Sequence, residues 1–122
     1  MKFTLAAVLL EAADPEPESA FWHRLLGGTL MRTPTHHFLR AEGLPVLVVQ
    51  SAPGHLPPQW PDGRSQQVHV DLAVDDLPAA DRRAVDAGAR RLRPPHPAPD
   101  EPATGSRVYA SPAGHPFCLR AG

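Results

Sequence analysis

His69 and Asp71 stand two residues apart in Val68-His69-Val70-Asp71-Leu72-Ala73-Val74-Asp75, where polar and apolar residues alternate. Successive side chains of a strand point to opposite faces, so the imidazole and the carboxylate share one face. Val68, Val70, Leu72 and Val74 form an aliphatic face behind them. An imidazole there can ligate a metal, move a proton or accept a hydrogen bond. Asp71 can orient it, or simply be solvated at a sheet edge. Cys118 is the chain's one cysteine. As a free thiol it packs as a small apolar residue. Trp60, in Pro57-Pro58-Gln59-Trp60-Pro61, suits a loop lid over an apolar ligand or an anchor pinning the loop to its own domain. His36 and His37 are consecutive, so on a strand they face opposite ways and cannot serve one site. Glu11 falls too near a strand end to receive a role. No nucleophile elbow, phosphate-cradling glycine loop, paired-cysteine metal motif or dinucleotide fingerprint is present.

The elements that must position these groups follow from local pattern. Residues 3–12 read as a strand, and Asp14-Pro15-Glu16-Pro17-Glu18 opens a helix with an acidic cap and glutamates suited to the helix dipole. Phe21 with Leu25, and Trp22 with Leu26, supply its buried stripe, and Gly27-Gly28 stops it. Short strands follow over 29–32, 36–40 and 44–50, the last nearly all apolar, as suits burial on both faces. Residues 51–65 are a proline- and glycine-rich connection, a linker or a lid. After the His69 strand, Asp75-Asp76-Leu77-Pro78 caps a second helix over 77–87, with Leu77, Ala80, Ala84 and Val85 as its apolar face. Strands over 89–92, 107–110 and 116–120 complete the chain, the last two joined by Ser111-Pro112-Ala113-Gly114. Residues 94–102, five of them proline, are expected as an exposed loop.

This order contains a repeat. Ala7–Asp14 superimposes on His69–Asp76 at an offset of 62, and each copy continues from strand through acidic cap to helix, glycine and short strands. The expected fold is α+β: two tandem βαβββ modules (about 1–52 and 66–122, joined by 53–65) in a single domain. They would form a curved mixed sheet around a cavity, with helices on the outer face.

At 122 residues with a net charge of −1 and a pI near 6.6, the chain lacks the basic footprint of a nucleic-acid or anionic-membrane binder. No apolar run approaches the roughly 20 residues of a membrane span. The N-terminus lacks a cleavage pattern, and a single cysteine suits a reducing cytoplasm.

Three stretches, Asp14-Pro15 with 21–27, His69 through Leu77, and 111–119, give the chain a resemblance to the vicinal oxygen chelate superfamily. That superfamily includes glyoxalase I, bleomycin-resistance proteins and extradiol dioxygenases, and the chain looks most like its small bacterial glyoxalase-like branch. Metal-dependent members place ligands on the first and last strand of each module. Carried over, those positions fall on Ala7, His69 and Cys118, and near Gln50, with Leu47 an equally open register. The resemblance then implies a homodimeric cytoplasmic protein that binds a small, partly apolar organic molecule, with no complete metal site and no cofactor. Its ligand-binding residues would be His69, Gln50, Cys118, Asp71 and Trp60. The alternative is a metal-dependent lyase or isomerase that uses His69 as a metal ligand.

Overall fold

The computed structural model describes residues 1–93 and 106–122, which form two compact units, Met1–Leu56 and Pro57–Gly122. The first runs β1 (Ala7–Ala12), α1 (Pro15–Leu26), β2 (Thr29–Arg32), β3 (His36–Arg40) and β4 (Val46–Ser51). Its sheet has the order β1-β4-β3-β2, with β1 parallel to β4 and the other pairs antiparallel. Helix α1 begins where Asp14 caps it, its side chain accepting from the Glu16 amide at 3.2 Å, and ends at Gly27. It packs on β3 and β4, and the fully buried Phe21 and Trp22 meet edge to face with ring centroids 4.9 Å apart. Leu39, Leu47, Val49 and Ala12 form the sheet side of this core.

The second unit repeats the plan: β5 (Val70–Val74), α2 (Leu77–Ala87), β6 (Arg90–Arg93), β7 (Ser106–Ala110) and β8 (Pro116–Ala121). Its order is β5-β8-β7-β6, with β5 parallel to β8. Asp76 caps α2 by accepting from the Ala79 amide at 3.0 Å. The two units are therefore tandem βαβββ modules, each a mixed four-stranded sheet with a helix on one face. The fold is α+β.

The correspondence reaches into the buried polar contacts. One helical turn in from each cap lies a buried polar residue, Ser19 or Asp81, separated by the repeat offset of 62. Ser19 bonds His37 on β3 at 2.6 Å. Asp81 stands 3.7 Å from Arg107, the matching place on β7, accepts from the Tyr109 hydroxyl at 2.7 Å and holds Arg91 at 2.7 Å. Burial works to raise the Asp81 pKa, but hydrogen bonds from Arg91 and Tyr109 and the two guanidinium charges outweigh it, so the carboxyl titrates below its ordinary value. Burial, and then Asp81 itself, pushes the Tyr109 phenol far up.

Several sequence expectations shift. The first strand begins at Ala7 rather than residue 3, and β5 begins at Val70. Val68, expected on the aliphatic face, is 80% exposed. The ladder explains this: Val70 pairs with Phe117, and β8 has one residue before it, so Val68 has no core to enter. The buried face of α2 is Leu77, Asp81, Ala84 and Ala87, with Asp81 in place of the expected apolar contacts. In β4, Leu47, Val48 and Val49 are all buried, as its unbroken apolar run required. The expected loop over 94–102 lies outside the described residues. Among those described, no helix is long and apolar enough to cross a membrane.

Candidate functional site

In each unit the helix contacts decide which sheet face remains open. Val70, Leu72, Phe117, Leu119, Tyr109 and Arg107 share rungs or alternate with the residues that meet α2. Asp71, Ala73, Cys118, Arg120, Val108 and Ala110 therefore lie on the opposite, open face. Asp71 and Cys118 are direct ladder partners there. Asp71 belongs to the sheet-edge strand β5 and stands 3.5 Å from the Arg120 guanidinium, both groups well exposed. Arg120 is thus engaged with the carboxylate. The Cys118 thiol is pushed up by burial and by the negative charge of Asp71, so at neutral pH it stays protonated. His69 is exposed and precedes β5 by one residue.

Gln50 belongs to the first unit. The β4 register places it on that unit's open face with Val46 and Val48, whereas Leu47 faces α1 with Val49. Its rung is completed by Glu11 on one side and His36 on the other, a carboxylate, an amide and an imidazole in one row across three strands. His36 Nδ1 is 2.8 Å from the Thr35 hydroxyl, and its ring stacks 6.0 Å from Phe38. His37 faces the other way, into the Ser19 contact, as the alternation required. Matching the parallel ladders of the two modules sets Cys118 against Val48 and Arg120 against Gln50. Among the described residues, no three His, Cys, Asp or Glu side chains stand close enough together to hold a metal ion.

The second unit also contains a cavity of about 370 Å³. Trp60 lines it with Pro57, Pro58 and Gln59 from the proline-rich loop, Arg90 and Leu92 from β6, and the turn from Ala110 to Gly114 with Pro116. The loop wall is held by local bonds. Gln59 accepts from the Arg64 amide through Oε1 at 3.0 Å and donates its own amide to the Arg64 carbonyl at 2.7 Å. Arg64 Nη1 donates to the Pro57 carbonyl at 3.1 Å. On the turn side, the Ser111 hydroxyl accepts from the His115 amide at 3.0 Å. Gly114 has φ +91° and sits so close to Pro57 that a Cβ would collide with the proline ring. Glycine is what lets loop and turn meet at the cavity rim.

Of the five residues singled out from sequence, Trp60 alone lines this cavity. Asp71 and Cys118 meet on the open sheet face, His69 stands exposed just before β5, and Gln50 sits in the other unit. Sequence reasoning missed Arg90, Leu92 and Glu11. Arg90 and its neighbours Arg91 and Arg93 look alike as a solvated strand. Only pairing separates Arg91, which meets Asp81, from Arg90, which is paired with Ala110 on the cavity side.

Comparison with known proteins agrees with this architecture. A glyoxalase-like domain family model matches residues 7–120. Among curated proteins none matches the chain. Solved structures are similar in fold. A glyoxalase/bleomycin resistance protein/dioxygenase family enzyme from Burkholderia phytofirmans has a TM-score of 0.70 at 17% identity, over 96% of this chain and 97% of that one. The fosfomycin resistance protein FosX from Mesorhizobium loti has a TM-score of 0.71 at 15% identity, over 100% and 94%. TioX from Micromonospora sp. has a TM-score of 0.65 at 19% identity, over 98% and 98%. With nearly its whole length matched by the family model and two βαβββ modules in its fold, this chain belongs to the glyoxalase-like domain family.

Proposed function

We propose that this glyoxalase-like protein binds a small, partly apolar organic molecule without a complete metal site. The observation that carries the reading is the cavity beside Trp60. Its volume of about 370 Å³ fits a small organic ligand, and prolines, Leu92 and the indole supply apolar surface within a lining that is more polar than apolar. The donors at the positions where metal-dependent relatives hold their ion fit a metal poorly. Ala7 has no donor atom, Gln50 offers a neutral amide, and Cys118 keeps its proton beside an Asp71 that faces Arg120. Asp71, Cys118 and Gln50 are in this reading polar points on open sheet faces, and His69 an exposed residue just before β5, rather than a metal centre. The protein acts as a cytoplasmic homodimer.

The test uses Trp60 as its own reporter. Trp22 is buried in the first unit, so quenching by the neutral aromatic 4-nitrobenzamide reads the cavity. Saturable quenching, matched by calorimetric binding that disappears in Trp60→Leu, is expected. Stoichiometric zinc, nickel or iron in protein purified without chelator, and lost in His69→Ala, would overturn the reading in favour of a metal-dependent lyase or isomerase built on His69.

A further inference from the structure

The same cavity carries a charge for which no described residue supplies a partner. Among its described lining residues Arg90 is the one ionisable side chain, and Arg90 makes no side-chain hydrogen bond or ion pair with any described residue. The neighbouring β6 arginine shows the contrast: Arg91 turns to the other face and is held by Asp81 through three contacts of 2.7–3.3 Å. The two side-chain acceptors among the lining residues each already take a backbone amide. Gln59 Oε1 takes the Arg64 amide, and Ser111 Oγ takes the His115 amide. The indole and prolines of the wall are thus bordered by a water-exposed guanidinium fork that no described side chain pairs, free to meet an acceptor on an arriving molecule.

We propose that the cavity selects organic acids, a carboxylate on a flat apolar body, with Arg90 as the residue that reads the charge. The planar guanidinium can give two parallel N–H groups to a carboxylate, while the ring or hydrocarbon body lies against Trp60 and the prolines. This inference rests on the ligand-binding reading above and adds the ligand's chemical class. The arginine is open to water, so its preference is modest and sensitive to salt.

The experiment compares 4-nitrobenzoate with 4-nitrobenzamide, which share shape and differ in charge, by calorimetry on the full chain. The anion is expected to bind roughly fivefold more tightly at low salt, the preference shrinking as salt is raised. Arg90→Gln should bring the two affinities together while amide binding persists, and Arg90→Lys should keep part of the preference. Equal affinities in the native protein, or a preference that survives Arg90→Gln, would sink the organic-acid assignment and leave the binding reading standing. If neither compound binds, both fall together.

Discussion

At the scale of single residues, Asp81 carries the most consequence for stability. It is 3% exposed, and its carboxylate answers Arg91, Tyr109 and Arg107 at once. Asp81→Asn keeps the shape but removes the charge that three neighbours are built around. A loss of about 2–4 kcal/mol is expected, measured by urea unfolding, because a buried partner removed leaves the others unpaired. The pH dependence follows from the lowered pKa. A carboxyl held below its unfolded value contributes stability that is complete above about pH 3.9 and lost as pH falls through the folded value. The melting temperature of the native chain should therefore drop more steeply below about pH 4 than that of Asp81→Asn. A parallel acid limb in both proteins would show that Asp81 does not set it. The residue was unreadable beforehand because a helix stripe predicts apolar contacts. Its partners come from strands 10 to 28 positions away.

At the scale of elements, both helices start at an aspartate whose side chain accepts from a backbone amide. The first turn of α1 also carries Glu16 and Glu18, whereas that of α2 carries no acid. Asp76→Ala should therefore destabilise by about 1 kcal/mol, and Asp14→Ala by somewhat less, since glutamates already suit the positive end of α1. The check is a lower urea midpoint with an unchanged m-value, larger for Asp76→Ala. These caps were legible because capping involves residues two or three apart. Strand ends were less so. Val68 continues the alternation of β5 yet lies outside it, because a strand ends where its partner does. Glu11 is the opposite case: it sits within β1, and the ladder brings it level with Gln50 and His36.

At the scale of the whole molecule, the two modules differ chiefly between their second and third strands, residues 33–35 in one and 94–105 in the other. The homodimer expected of the protein has a direct check, since light scattering should return twice the 13.2 kDa chain mass. A monomer mass at all concentrations would remove that part of the proposal.

Period, caps and turn residues were enough to read two βαβββ modules and an α+β class, because each signal acts over a few neighbouring residues. The family resemblance spanned the same stretches. Which face of each strand meets its helix, and which arginine of β6 is neutralised, depended on ladder registers between distant segments. Arg90 and Arg91 have the same side chain and adjoin in sequence. Pleating alone sends one to Asp81 and leaves the other at a cavity wall.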